Sequence, residues 1–177
     1  MYSRGDQIIH PRYGAGTITG KKKMTFKGKT RSYHIIELVG NRGEVMIPVD
    51  AATEMNIRPA IADLSIIEEV FAKPPSELSD DYRSRQASIQ KQIQTREPEA
   101  MAKALRDLYW REQTDKLTSV ELKMKSNLIK MMSHEIAVIC PETTVEKANS
   151  QLMQMLHRMV RGDDEASAPD AAESAST

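Results

Sequence analysis

The amino-acid sequence predicts an α+β fold in which a small all-β barrel precedes a compact all-α domain of about five helices. Seven of the eight glycines lie between Gly5 and Gly43, where they separate short runs of β-type residues without a helical period. After Pro59, apolar residues recur at spacings of three and four. The predicted boundaries are 1–60 for the barrel, 61–160 for the helical domain and 161–177 for an acidic tail.

Four short runs in the first sixty residues are typical of strands, at 7–9, 17–19, 32–39 and 44–47. Lys27-Gly28-Lys29 and Asn41-Arg42-Gly43 are typical of hairpin turns, because glycine and asparagine tolerate the positive φ that such turns require.

The first predicted helix carries Leu64, Ile67, Val70 and Phe71 on one face. Pro74-Pro75 ends it, and we interpret this pair as the linker between domains. A second helix is predicted to begin near Ser79, whose hydroxyl can cap free backbone amides, and to end near Thr95.

Three further helices follow from local signals. Pro98 suits the first turn of the third helix, and the capping-box pattern Thr118-Ser119-Val120-Glu121 predicts the start of the fourth. Pro141 is predicted to end the fourth helix, and Val145–Val160 is predicted to form the fifth. Residues 163–177 are acidic and poor in apolar side chains, so we predict that they are disordered.

Composition narrows the function. The 25 Lys+Arg balance the 25 Asp+Glu, and no apolar stretch approaches the roughly 20 residues of a membrane helix. The N-terminus lacks a secretory signal pattern, so a cytoplasmic protein without a membrane partner is expected. The single cysteine, Cys140, excludes an internal disulfide and a thiolate zinc cage. No cofactor or metal is predicted.

No catalytic constellation is evident, and we predict that the chain is not an enzyme. Gly14-Ala15-Gly16 lacks the third glycine of a dinucleotide fingerprint. His134-Glu135 is not followed by the second histidine of a zinc-protease helix. Cys140 and His134 lie near the same helix end, but nothing in the sequence shows the third group that would orient a base.

Signals for binding are clearer, because the neutral total hides basic blocks. Residues 1–60 carry a net charge of +5 and residues 81–160 a net charge of +3. Six cations crowd one predicted hairpin: Lys21, Lys22, Lys23, Lys27, Lys29 and Arg31. They suit a phosphate backbone or an acidic protein face, or else a solvated edge that resists strand-to-strand aggregation.

The helical part repeats this pattern. Tyr82 opens the second helix beside Arg83 and Arg85, and an aromatic flanked by arginines can wedge at a base step in the minor groove. The alternative is a tyrosine packed in the core. The other cations that punctuate these helices are Lys91, Lys103, Arg106 and Arg111.

The order of several motifs resembles the CarD family of bacterial RNA-polymerase-binding transcription regulators. Arg4 to Ile18, reading RGDQIIHPRYGAGTI, is similar to the opening signature of that family. The resemblance continues through Lys27-Gly28 to Tyr33, Val45-Met46-Ile47-Pro48, Arg106-Asp107-Leu108-Tyr109, and Leu117-Thr118-Ser119 to Met124. It covers about residues 2 to 160.

The resemblance implies a non-catalytic, monomeric regulator whose Tudor-like or SH3-like barrel docks on the polymerase β subunit. In the family the barrel adds an edge strand to the β lobe, and the residues implied here are Met24, Glu44, Val45, Met46, Ile47 and Pro48. Within that strand Val45 and Ile47 are expected to point inward, which leaves Met46 as the contact.

The resemblance also implies that the helical domain contacts promoter DNA at the upstream edge of the transcription bubble and stabilises the open complex. The implied DNA-binding residues are Tyr82, Arg83, Arg85, Lys91, Lys123 and Lys125. The chain departs from its relatives at two places. Tyr82 stands where relatives have a wedging tryptophan, and Met24 and Met46 stand where some relatives have arginines. An alternative is an adaptor that binds polymerase or a repair-coupling partner without touching DNA.

Overall fold

The computed structural model describes residues 2–26, 28–51 and 55–166, which form an antiparallel sheet followed by five helices. The strands are β1 Gln7–His10, β2 Gly14–Phe26, β3 Lys29–Leu38, β4 Glu44–Pro48 and β5 Arg58–Pro59. The helices are α1 Ser65–Phe71, α2 Tyr82–Thr95, α3 Pro98–Thr114, α4 Ser119–Ile139 and α5 Val145–Ala166. The predicted α+β class is confirmed.

The sheet has the strand order β4-β3-β2-β1-β5, so β4 and β5 are its edges. A long hairpin of β2 and β3 dominates it, and the register shifts between Ile18 and Gly20. Ile8, Ile18, Ile36, Leu38 and Ile47 form its core. Across the described residues the sheet does not close into the predicted barrel.

Gly16 is required by close packing between strands. A Cβ at this position would lie 2.6 Å from Ile36 Cγ2 and 2.7 Å from the carbonyl oxygen of Glu37. No side chain fits at such distances without a shift of its neighbours, so the packing of β2 against β3 depends on a glycine here.

The helices share one core, to which α1 contributes Ile67, Val70 and Phe71. Because α1 packs on α3, the Pro74-Pro75 segment lies inside the helical unit and is not the domain linker that we predicted.

Local signals locate the helix ends with two exceptions, the start of α2 and the end of α5. Pro98 opens α3, and Thr118 with Glu121 forms the predicted capping box of α4. The prediction of Ser79 as the cap of α2 is wrong, since the carboxylate of Asp81 accepts from the Ser84 amide at 2.9 Å instead. The fifth helix runs to Ala166, beyond the predicted Val160, and residues 167–177 of the predicted disordered tail lie outside the described residues.

A buried ion pair joins the sheet to the helices. Arg58 on β5 donates two hydrogen bonds to Glu135 on α4, at 2.6 and 2.8 Å, and Glu135 is only 3% exposed. Glu135 also accepts from the Ile61 amide at 3.1 Å. Beside this pair, Ile9 and Ala15 pack on Val138. We call the seam the region formed by the Arg58–Glu135 ion pair and these apolar contacts.

None of the described helices is long and apolar enough to cross a bilayer.

Candidate functional site

β4 has a partner strand on one side only. Its residues pair with β3 in the antiparallel register Ile35↔Met46 and Ile36↔Val45, and the sheet order leaves its other side unpaired among the described strands. Ile47 is buried, Val45 is half-buried and Met46 is 48% exposed, which agrees with the expected inward and outward alternation. Such an edge offers main-chain donors and acceptors to another strand.

Paired residues place Met24 and Met46 on one face of the sheet. Met24 lies opposite Arg31 and Met46 opposite Ile35, and the two β3 partners are four residues apart, or about 13 Å along the strand. Arg31 is exposed on the same face. Reasoning from sequence grouped Arg31 only with the hairpin lysines and missed its position beside the methionines, because that position depends on strand register.

Tyr82 occupies the first turn of α2, where it is 47% exposed. Arg83 donates from Nε to the Tyr82 hydroxyl at 3.1 Å, and its guanidinium carbon lies 5.6 Å from the ring centroid. The cap residue Asp81 accepts from the side chain and the amide of Ser84, and these hydrogen bonds lower the pKa of its carboxyl. Tyr82 is therefore an exposed ring on an ordered helix start, rather than a core tyrosine.

Arg85 lies behind this ring, with only 4% of its surface exposed. It donates to the Glu121 carboxylate at 2.5 Å and to the carbonyl oxygens of Ser79 and Asp80 at 2.6 and 3.1 Å. Burial alone would raise the pKa of Glu121, but the hydrogen bonds from Arg85 and from Thr118 outweigh it and lower the pKa. Because these groups occupy Arg85, its placement does not support the predicted DNA contact, and we assign it a structural role.

The three predicted lysines differ in their surroundings. Lys91 follows it by nine residues, which turns it about half a circle around α2. Lys123 is exposed on α4. Lys125 pairs with Glu112 on α3 and lies 5.9 Å from the centre of the Tyr109 ring. The structure therefore brings Tyr82 and Arg83 into contact, while Lys91 faces another side of α2 and Lys125 is paired with Glu112.

Arg106, which sequence reasoning grouped with surface cations, is also buried. It donates to Asp107 at 2.7 and 2.8 Å and to the carbonyl oxygen of Val70 at 3.1 Å. Asp107 in turn accepts from the Ser76 amide at 3.0 Å. The Arg106-Asp107 pair thus fastens the segment after α1 onto α3.

Among the described residues, no group of three His, Cys, Asp or Glu side chains could hold a metal ion. An open-edged β module fixed to a helical bundle with an exposed aromatic at a helix start defines a two-module binding protein.

Comparison with known proteins identifies the family. Residues 2–61 match the CarD-like/TRCF RID domain, a module that interacts with RNA polymerase, and residues 67–153 match the CarD C-terminal domain. The chain belongs to the CarD-like family of transcription regulators. It is 29% identical over 141 residues to YdeB of Bacillus subtilis (strain 168), a protein named as a candidate transcription factor, with coverage of 78% of this chain and 92% of YdeB.

Proposed function

We propose that this chain is a non-catalytic regulator that binds the RNA polymerase β subunit through β4 and stabilises the promoter open complex with the start of α2. The observation that carries the proposal is that one module has an open strand edge and the other module has an exposed aromatic side chain. Both features lie within the residues that match the two family domains.

Docking is proposed to occur by strand addition. The unpaired side of β4 would supply main-chain hydrogen bonds, and Met46 and Met24 on the outer face would supply apolar contact. Arg31, on that same face, is our candidate for the charged contact that arginines make in some relatives.

DNA contact is proposed to rest on Tyr82 and Arg83. Stacking of an aromatic side chain on a base is worth about 1–3 kcal/mol. Promoter opening costs roughly 1.4 kcal/mol for each base step. The ring therefore cannot melt DNA, but it can lengthen the life of strands already parted by about fivefold to 100-fold if it acts only on closing.

The first test concerns docking. Met46→Asp puts a charge in the apolar part of the proposed interface, so we expect capture of the isolated β lobe to weaken by at least about tenfold. Leu122→Asp is the matched control, because Leu122 is similarly exposed, at 44%, but lies on the helical bundle. Equal capture by the Met46→Asp variant and the unmodified chain would rule out β4 as the docking strand.

The second test measures the lifetime of the open complex with purified polymerase. We expect Tyr82→Ala to shorten the lifetime by about fivefold or more, while Tyr82→Phe keeps the ring and most of the effect. Tyr82→Trp is expected to lengthen the lifetime, since it offers a larger stacking surface. An unchanged lifetime with Tyr82→Ala would remove the wedge from the proposal.

One observation favours the adaptor alternative, in which the helices do not touch DNA. Arg85 is occupied by Glu121 and Lys125 by Glu112, so two of the five cations predicted to bind DNA already have carboxylate partners. A promoter crosslink from position 82 in the polymerase complex discriminates the two functions, because the adaptor predicts none.

A further inference from the structure

A second charged feature lies at the seam, away from β4 and from Tyr82. It is a cleft of about 330 Å³ between the first hairpin of the sheet and helices α3 and α4. Its apolar lining comes from Ile9, Ala15, Met101 and Met131. Five cationic side chains, one histidine and one carboxylate also line it: Arg12, Arg42, Arg58, Arg96, Lys130, His134 and Glu135.

The charges in this cleft do not balance. Glu135 is the one carboxylate in the lining, and it already accepts two hydrogen bonds from Arg58. The other four cations, Arg12, Arg42, Arg96 and Lys130, form no salt bridge with any described carboxylate. The lining of this cleft therefore carries a net charge of about +4, with Arg12, Arg42 and Lys130 exposed to solvent, and a cleft lined by one sign of charge raises the local concentration of counter-ions.

One of these cations is fixed in place. Arg42 donates from Nε to the Val39 carbonyl oxygen at 2.8 Å and from Nη1 to the Tyr13 carbonyl oxygen at 2.9 Å. Gly14, with φ of +81°, lies under it, and a Cβ there would come within 3.5 Å of Nη2. Two neutral carbonyl oxygens hold the guanidinium without neutralising it, which leaves its charge available to a ligand.

Two histidines beside the cleft respond to this field. Burial, followed by the charges of Arg42 and Lys130, lowers the pKa of His134. Burial, followed by Arg96 and Arg12, lowers the pKa of His10, whose Nδ1 accepts from the amides of Arg12 and Tyr13. Arg42 and Lys130 thus act on His134, and Arg96 and Arg12 act on His10.

We propose that this cleft binds a compact phosphate-bearing anion about the size of a diphosphate. Several cations around one cavity match a multiply charged anion, and the planar fork of an arginine suits phosphate oxygens. The volume lies at the lower end of the range for small-molecule sites, and such sites occur preferentially where modules meet. A duplex backbone fits less well, because it offers no counterpart to the apolar residues that share this lining with the cations.

Titration calorimetry of the full chain with inorganic pyrophosphate at low ionic strength tests this site. We expect 1:1 binding with a Kd below about 1 mM. Lys130→Gln is expected to weaken binding about tenfold, because it removes one charge-assisted contact from an exposed side chain that forms no salt bridge with a described carboxylate. Lys147→Gln, at an exposed position on α5 outside the cleft, is the matched control and should leave the Kd unchanged.

A second variant separates charge from geometry. Arg42→Lys keeps the positive charge but loses the planar fork, and we expect it also to weaken pyrophosphate binding several-fold. Circular dichroism checks that both variants fold. Absence of binding up to about 5 mM pyrophosphate, or an equal loss in Lys147→Gln, would overturn the site.

A parallel arm uses fluorescent duplex DNA without polymerase. If Lys130→Gln weakens duplex binding but not pyrophosphate binding, the cleft belongs to a nucleic-acid surface and the proposal is overturned. Retained duplex binding with weakened pyrophosphate binding supports it. Neither result depends on capture of the β lobe, so failure of this site is distinguishable from failure of the proposed function.

Discussion

Arg85 and Arg83 are two residues apart on the same helix, yet the structure gives them opposite roles. Arg85 is buried against Glu121 and holds the segment before α2 through two carbonyl oxygens, whereas Arg83 is exposed against the Tyr82 ring. Arg85 therefore positions Tyr82 from behind, by fixing the start of α2 on the start of α4.

This difference predicts unequal effects of the same substitution. Arg85→Gln leaves the buried Glu121 carboxylate without its charged partner, and we expect it to lower the free energy of unfolding by about 3–5 kcal/mol. Arg83→Gln is the matched control and should change it by less than about 0.5 kcal/mol. Urea denaturation followed by fluorescence of Trp110, the single tryptophan, measures both. Similar losses in the two variants would contradict the structural role of Arg85.

For single residues, the sequence reveals hydrogen-bond partners that are close along the chain but not those that are far apart along it. The capping box of Thr118 and Glu121 can be recognised because its two residues are three positions apart. The ion pair of Arg85 with Glu121 spans 36 positions, and the contact of Arg106 with Val70 also spans 36. From the sequence alone both arginines are therefore interpreted as surface cations, because their partners become neighbours only in the folded chain.

Among the elements, the hairpin of β2 and β3 shows how closely two strands can approach each other. The Gly16 site has no room for a Cβ, whereas a Cβ at Gly20, four residues further along the same strand, would meet nothing within 4 Å. The two glycines therefore differ in packing although both belong to β2.

We accordingly expect Gly16→Ala to lower the free energy of unfolding by about 1–3 kcal/mol, because Ile36 and the Glu37 backbone must move to admit a methyl group. Gly20→Ala should lie within about 0.5 kcal/mol of the unmodified chain. Thermal unfolding followed by circular dichroism compares them. A Gly16→Ala variant as stable as Gly20→Ala would show that the hairpin can relax.

The sequence predicted the positions of the strands better than their lengths. The apolar alternation of 17–19 marks only the buried base of β2, while the described strand runs from Gly14 to Phe26. Residues 21–25 of its outer arm, which include Lys21, Lys22 and Lys23, are all exposed, so the periodic signal is lost there. Edge exposure of β4 was implied only by the family resemblance, because strand order is a tertiary property.

For the whole molecule, the seam determines how the two modules are held together. The bidentate pair of Arg58 and Glu135 is largely buried, and Arg58 also donates to the carbonyl oxygen of Arg96 at 2.8 Å. Two covalently linked sites act together only when the connection lets both engage at once. We therefore expect the seam to set the distance between β4 and Tyr82.

A substitution at Glu135 should loosen the seam without changing β4 or Tyr82. Glu135→Gln removes the charge that Arg58 faces, and we expect capture of the β lobe to stay unchanged while the lifetime of the open complex falls several-fold. The exposed Glu142→Gln, just beyond α4, is the control and should alter neither. Hydrogen exchange in 7–10 and 58–59 should become faster in Glu135→Gln alone. If exchange rises but the lifetime does not fall, the two modules act independently, and β4 supplies only local concentration.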